Sequence, residues 1–131
     1  TAAASGLAAI CSDHTPVAAD DKLLPFGEAK AGATGLEVLL PLTLKWAESL
    51  KLSLSDALAR ITSAPAEVLG LESGQLAQGA VADICIFDPE ANWQLTPEAL
   101  KSRGKNSPWT GYMMTGKVQT TLVGGRIVYQ A

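Results

Sequence analysis

Residues 7–16 read LAAICSDHTP, a short apolar run that ends in a cluster of polar and turn-forming residues. Apolar side chains at successive positions are typical of a strand that is buried on both faces, as in a parallel sheet or a barrel. Such folds carry their functional residues where a strand meets the loop that follows it. The stretch therefore predicts an α/β fold and places a candidate site at Asp13 and His14.

The segment after this strand is a long loop at residues 17–34, without sustained periodicity. Loops longer than about 12–15 residues are uncommon unless they are lids, binding loops or disordered, so this length favours a functional loop. Three helices are then predicted, at residues 36–50, 54–62 and 65–69. We expect Pro41 to weaken or kink the first of them. Ser53 has the N-cap position of the second, and Gly70 follows the end of the third.

The pattern changes from helices to strands after Gly70. The predicted elements are a strand at residues 82–88, one helical turn at 96–100, and strands at 116–123 and 126–130. The pair Asp88-Pro89 is expected to stop the first strand. Gly124-Gly125 joins the last two strands and is a hairpin signal.

The composition excludes several classes of protein. Hydrophobic residues make up 47% and charged residues 18% of the 131 residues, which argues against a disordered tail. The net charge of −3 and the lack of a basic block argue against nucleic acid or an anionic membrane surface as a partner. No apolar run reaches the ~18 residues of a membrane span. Cys11 and Cys85 are too few for a disulfide framework or a four-ligand zinc site, and they fit a reducing, cytoplasmic setting.

The beginning of the chain and its histidine content both suggest a part of something larger. His14 is the single histidine, so chemistry that needs several imidazoles cannot be completed by this chain alone. Residues 1–9 lack the basic and long apolar segments of a signal peptide, and they show no helix cap or strand pattern. We therefore expect the chain to start inside a larger protein.

Two interpretations of Asp13 are open from spacing alone. At the end of a buried strand, a carboxylate must be neutralised, hydrogen-bonded or protonated, and it could take a proton from a metal-bound water. Alternatively, Asp13 caps the turn at Thr15 and Pro16, which is the commoner arrangement. His14 points to the opposite side of a strand from Asp13 and is a poor co-ligand for the same metal. A histidine that is hydrogen-bonded to the backbone is the favoured interpretation of His14.

Three further polar segments have ordinary explanations. Residues 20–22 (DDK) are expected to form a solvated loop face. The amides of residues 32–35 (GATG) could receive an anion such as a carboxylate, although a simple helix start is the more common explanation. Residues 101–105 (KSRGK) are basic but short, and are interpreted as a solvated turn.

Three groups of motifs occur in the order and spacing of one known family. The first group is residues 10–16 (ICSDHTP), 22–26 (KLLPF), 32–37 (GATGLE) and 40–42 (LPL). The second group is residues 62–66 (TSAPA), 69–71 (LGL), 74–76 (GQL), Gly79 and 82–83 (AD). The third group is residues 102–109 (SRGKNSPW), Gly111, 116–118 (GKV) and 124–128 (GGRIV). Together they resemble the C-terminal part of dihydroorotases, in the cyclic-amide branch of the amidohydrolase superfamily.

The resemblance implies a fold, a reaction and a role for Asp13. It implies that residues 1–71 are the end of a metal-dependent (β/α)8 barrel, with its last strand and closing helices. Residues 72–131 would then be strands of a small composite β-domain. The family hydrolyses dihydroorotate reversibly to carbamoyl aspartate in pyrimidine biosynthesis. Asp13 matches the aspartate that contacts zinc and acts as general base and acid. The remaining zinc ligands, which include an early His-x-His pair, would lie outside this chain.

The resemblance also assigns the substrate contacts, with one departure. Ala31 and Gly32 match loop residues whose backbone contacts the substrate. The family usually reads Asp-His-Ala-Pro-His, and its final histidine helps to hold the substrate; here that residue is Val17, which cannot donate a hydrogen bond. Allantoinases and hydantoinases fit less well, because Pro25-Phe26 and the tail at residues 106–108 look more like dihydroorotase.

These features leave three hypotheses. The first is a zinc-dependent dihydroorotase or close cyclic amidohydrolase that acts on a small cyclic amide. It is a homo-oligomer in which this chain packs against the remainder of the barrel. The second is a non-catalytic homologue that supports the assembly of aspartate transcarbamoylase, as Val17 would suggest. The third is an unrelated small α+β binding domain. Under the first hypothesis the 131 residues alone would neither hydrolyse substrate nor bind zinc tightly.

Overall fold

The computed structural model describes residues 2–131, in which helices precede strands. The α-helices are α1 (Leu39–Ser49), α2 (Leu54–Ala59) and α3 (Ser63–Leu69). The strands are β1 (Ile84–Gln94), β2 (Met113–Val123) and β3 (Arg126–Gln130). Short 3-10 turns occur at Asp20–Lys22 and Leu36–Val38. No helix within residues 2–131 has the length and apolar character needed to cross a membrane.

The three predicted helices are confirmed, and their ends follow local chemistry. The Ser53 hydroxyl accepts a hydrogen bond from the Asp56 amide at 3.1 Å and caps α2. Gly70 ends α3 in the left-handed conformation, with φ 66°. Pro41 lies in the first turn of α1, where backbone amides have no partner inside the helix, so it does not interrupt α1. The helix predicted from residue 36 begins instead with a 3-10 turn at Leu36–Val38 and is α-helical from Leu39.

The strands form one antiparallel sheet in the order β1-β2-β3. Gly124 and Gly125 connect β2 to β3 with φ values of 54° and 77°. A two-residue hairpin turn of type I′ requires a positive φ at both of its residues. The predicted hairpin is confirmed. The predicted end of the first strand is wrong, because β1 continues through Pro89 to Gln94. A register shift between Asp88 and Asn92 accommodates the proline, which is tolerated at such irregularities.

The segment at residues 7–12, predicted as a buried strand, is not part of a sheet in the described chain. Cys11 is exposed, and the Ile10 amide donates to the Arg60 carbonyl at 2.8 Å rather than to a neighbouring strand. A strand needs a neighbouring strand for its hydrogen bonds and packed layers on both faces to be fully buried, and no strand of residues 2–131 pairs with this segment. The fold is α/β, but the sheet that it contains is antiparallel, and the barrel itself stays a prediction.

A small core joins the start of α1 to the sheet. It consists of Val38, Leu95, Leu100 and Met114, all at most 4% exposed, with Leu42, Trp93 and Trp109 packed against it. Trp93 also donates from Nε1 to the Gly116 carbonyl at 2.9 Å, which is the polar partner that a half-buried indole needs. This core fixes the helical half of the chain against the sheet, and therefore positions the loop that precedes α1.

Candidate active site

Asp13 lies in an irregular stretch of backbone that follows residues 7–12, and residues 13–15 are referred to as the Asp13 turn. Its φ is 45°, in the left-handed region, which aspartate tolerates better than most side chains. Its side chain is exposed and forms no hydrogen bond within residues 2–131. Asp13 therefore does not cap a backbone amide there, contrary to the commoner of the two interpretations from spacing. The carboxylate is left available to a group outside the described residues.

His14 is hydrogen-bonded to the backbone, as predicted. Its Nδ1 accepts from the amides of Gly35 at 3.1 Å and of Leu36 at 3.3 Å. These amides belong to the GATG segment and the 3-10 turn that follows it. The alternative that this segment receives an anion is not supported, because the imidazole occupies the Gly35 amide and the Asn106 carbonyl occupies the Thr34 amide.

The loop before α1 packs directly on the Asp13 turn. The Thr15 amide donates to the Ala33 carbonyl at 3.0 Å. Gly32 has φ 127°, and a Cβ there would overlap the Thr15 carbonyl oxygen. A Cβ on Gly35 would lie 2.5 Å from the Ser12 carbonyl oxygen. Both glycines are therefore needed for this close approach of two backbones.

The segment at residues 101–106 holds the other side of the same loop. Thr34 is fully buried, and its hydroxyl donates to the Gly104 carbonyl at 2.6 Å. The Thr34 amide donates to the Asn106 carbonyl at 2.7 Å, and the Asn106 amide group donates to the Gly32 carbonyl at 3.4 Å. The basic side chains of Lys101, Arg103 and Lys105 are exposed, as predicted for a solvated turn, but the backbone of this segment also supports the loop of the candidate site.

Glu37 is a residue that the sequence analysis did not single out. Its Oε1 accepts from the amides of Lys101 at 2.9 Å and Ser102 at 2.7 Å, and its Oε2 accepts from the Ser102 hydroxyl at 2.9 Å. Burial is the largest single influence and favours the neutral acid, but the hydrogen bonds from Ser102 and Lys101 outweigh it. The pKa of Glu37 therefore lies below its ordinary value of 4.5. The sequence feature that could have pointed to Glu37 is its place in the first helical turn after the GATG segment at residues 32–35.

Glu37→Gln is expected to lower the free energy of unfolding at pH 7 by about 1 kcal/mol, because the amide keeps an acceptor but loses the charge that strengthens these bonds. The folded-state pKa is depressed, so the stabilisation is present above pH 4.5 and is lost as the pH falls through the folded-state pKa. Denaturant unfolding of wild type and Glu37→Gln at several pH values between about 3 and 7 measures this pH dependence of the free energy of unfolding. Glu28→Gln is the control, because the Glu28 side chain is exposed. A constant difference between Glu37→Gln and wild type at every pH would contradict the prediction.

Val17 and the loop residues Ala31 and Gly32 surround the same turn. Val17 is half-buried and borders a cleft of about 300 Å³ with Pro16, Ala18, Arg103 and Gly104. Ala31 is exposed, whereas Gly32 lies against Thr15. The structure therefore brings Gly32 against Thr15, two residues after Asp13.

Two other sequence features lie apart from this turn. Asp21 forms an ion pair with Lys30 at 3.1 Å, which ties the ends of the 20–30 loop together. A wider cleft of about 940 Å³ lies between the start of α1 and the sheet, bordered by Leu36, Trp93 and Tyr129. It contains neither Asp13 nor its neighbours, so the candidate site is not assigned to it.

The described residues do not make a metal centre by themselves. Within residues 2–131, no three His, Cys, Asp or Glu side chains come together as a group that could hold a metal ion. A catalytic zinc normally has three protein ligands, and Asp13 supplies one carboxylate. A zinc site that includes Asp13 would therefore take its other ligands from outside the described residues.

The exposed Asp13 carboxylate thus lies beside a glycine-containing loop in an α/β fold. The amidohydrolase family model matches residues 3–129, and the chain belongs to this family. It is 45% identical over 120 residues to a dihydroorotase of Trichlorobacter lovleyi, covering 92% of this chain and 28% of that protein. It is 43% identical to a dihydroorotase of Anaplasma phagocytophilum, covering 93% and 27%. The chain thus spans less than a third of the length of these relatives.

Solved structures show the same fold. A D-hydantoinase matches with a TM-score of 0.85 at 25% identity, over 98% of this chain and 30% of that one. The L-hydantoinase of Arthrobacter aurescens matches with a TM-score of 0.71 at 31% identity, over 79% and 24%. The dihydropyrimidinase of Brevibacillus agri matches with a TM-score of 0.89 at 24% identity, over 98% and 30%, which supports the fold alone.

Proposed function

We propose that the protein, at its natural length, is a dihydroorotase that hydrolyses the cyclic amide of dihydroorotate to carbamoyl aspartate in pyrimidine biosynthesis. The observation that carries the proposal is the Asp13 carboxylate, which is free of hydrogen bonds within residues 2–131 and held at a turn against the loop of Ala31 and Gly32. The choice of dihydroorotate as substrate is supported by relatives named dihydroorotase, which are 41–45% identical to this chain over more than 90% of its length.

The chemistry assigns Asp13 a proton-transfer role. Ring opening requires water to attack the amide carbonyl and the ring nitrogen to leave as an amine. Asp13 accepts the proton of the attacking water and then gives it to the leaving nitrogen, so that one carboxylate acts first as base and then as acid. The backbone of Ala31 and Gly32 orients the substrate. Zinc, with ligands outside these residues, would supply activation of the water and the carbonyl, and Asp13 would be one of its ligands.

Exposed apolar side chains indicate that further protein packs against this chain. Phe26 is 100% exposed, Leu7 85% and Leu23 83%, all within the first 30 residues. Large apolar side chains on a surface, where they form a patch, mark contacts with other protein, and we infer such a contact for these three. We propose that the remainder of a (β/α)8 barrel covers them. In this arrangement residues 1–71 close the barrel and residues 72–131 belong to the β-domain. We also propose that the protein forms a homo-oligomer.

The proposed compartment is the cytoplasm. Cys11 and Cys85 are free thiols in the structure. Free thiols agree with a reducing compartment, where disulfides are rare.

Val17 favours a second candidate function. The side chain at this position borders the cleft beside Arg103 and Gly104, and it has no atom that can form a hydrogen bond. Losing a hydrogen bond to substrate at a buried site lowers binding and turnover. A non-catalytic dihydroorotase-like chain that supports aspartate transcarbamoylase would have no need of that contact.

The test measures turnover by the protein at its natural length, in excess zinc, with dihydroorotate, hydantoin and allantoin as alternative substrates. The dihydroorotase proposal expects hydrolysis of dihydroorotate in preference to the others, and a lower KM in Val17→His. The 131-residue chain alone serves as the inactive control. If the wild type is inactive, the first proposal fails. Copurification with aspartate transcarbamoylase would then establish the second, and its absence would reject both.

A further inference from the structure

We propose that His14 is a positioning residue, whose Nδ1 fixes the Asp13 turn against the loop of residues 31–36. The Asp13 side chain makes no hydrogen bond within the described chain, so no such contact fixes its orientation there. The direction of the carboxylate therefore depends on its backbone, which is anchored by the His14 side chain, by the Thr15 amide bond to Ala33 and by the Thr15 hydroxyl, which donates to the Asp13 carbonyl at 3.5 Å. The catalytic consequence of this inference rests on the proposed function, whereas the anchoring does not.

The anchoring contacts involve the two residues that follow Asp13. His14 Nδ1 accepts from two successive amides, at 3.1 Å and 3.3 Å. The next residue, Thr15, donates from its amide to the Ala33 carbonyl at 3.0 Å. Asp13 itself is in the left-handed region, which costs an L-residue energy even where aspartate tolerates it, so contacts that hold the neighbouring backbone favour this conformation. His14 and Thr15 together supply such contacts.

The same contacts determine the tautomer of His14. An imidazole nitrogen that accepts two hydrogen bonds must have its lone pair free of a proton, so the neutral ring carries its proton on Nε2. Nδ1 is then unable to act as a metal ligand or as a base while it remains bound to the loop. The role left to Nδ1 is to hold two backbone segments together.

Removal of this anchor is expected to affect turnover through Asp13. The loop contains Ala31 and Gly32, the proposed substrate contacts, and the turn contains the proposed proton carrier. A displacement of about 1 Å between reacting groups lowers rates by roughly 100-fold. His14→Leu removes the acceptor and is expected to reduce kcat by about this factor. His14→Asn places an amide oxygen near the position of Nδ1 and is expected to recover most of kcat.

The experiment compares wild type, His14→Leu and His14→Asn in the protein at its natural length. Amide hydrogen exchange at Gly35 and Leu36 is expected to be up to about tenfold faster in His14→Leu and close to wild type in His14→Asn. Nitrogen-15 NMR, with the His14 signals identified by their loss in His14→Asn, is expected to show a protonated Nε2 and an unprotonated Nδ1. Steady-state kinetics then give kcat and KM for each variant.

Each readout separates the anchor from the proposed function. A neutral His14 that carries its proton on Nδ1, or equal exchange in His14→Leu and wild type, would overturn the anchor. Loss of activity in both variants to the same extent would reject positioning through the acceptor. A wild-type protein without turnover would remove the proposed function, while the exchange and NMR results would still decide whether His14 holds the loop.

Discussion

Asp13→Asn is expected to lower kcat for dihydroorotate hydrolysis by at least about 10³-fold, within the range that general acid–base catalysis contributes. The amide has nearly the same shape as the carboxylate, but it cannot accept the proton of the attacking water or return it to the leaving nitrogen. Asparagine also tolerates the left-handed backbone that Asp13 adopts, so the turn should keep its conformation. The loss should therefore appear in turnover and not in folding.

The matched control for this substitution is Asp21→Asn, which makes the same chemical change in the neighbouring loop. Asp21 pairs with Lys30 at 3.1 Å, and a pair with an exposed partner contributes little to stability. We expect kcat within about twofold of wild type for Asp21→Asn, since surface changes of this kind have small effects. Circular dichroism and the unfolding midpoint check that Asp13→Asn is folded. If Asp13→Asn retained a tenth or more of wild-type kcat, the proton-transfer role of Asp13 would be wrong.

The parts of the fold that the sequence predicted correctly are those that local interactions determine. The Ser53 cap, the left-handed Gly70 and the Gly124-Gly125 hairpin each involve residues within a few positions of one another. Local backbone chemistry decides such features with little help from the rest of the chain. The hydrogen bond of His14 to the backbone was also predicted as a type of contact, although its partners could not be named.

The features that the sequence did not predict depend on distant partners. Glu37 contacts Ser102, 65 positions away, and no periodicity connects the two. The basic composition of residues 101–105 suggested solvent, but their backbone amides and carbonyls serve Glu37 and Thr34. Residues 7–12 have the composition of a buried strand, whereas strand formation also requires neighbours, which residues 2–131 do not provide.

Gly32→Ala is expected to lower the free energy of unfolding by about 3 kcal/mol, and kcat/KM by about 100-fold or more. Gly32 has φ 127°, a conformation that alanine adopts only with strain. The added Cβ would also overlap the Thr15 carbonyl oxygen and lie 2.9 Å from the Thr15 Cγ2. Denaturant unfolding and steady-state kinetics measure the two effects.

The clash at Gly32 cannot be relieved by a change of rotamer, because its main partner is a backbone carbonyl. Thr15 is held in place by its own hydrogen bond to Ala33, so the loop has to move away from the Asp13 turn as a unit. Thr15→Ser removes only the methyl contact and should therefore fail to rescue Gly32→Ala. Gly27→Ala is the control, because a Cβ there meets nothing within 4 Å, and it should leave stability and kcat/KM unchanged. Normal activity in Gly32→Ala would mean that the loop does not need its close contact with the turn, and the role of both segments in one site would have to be abandoned.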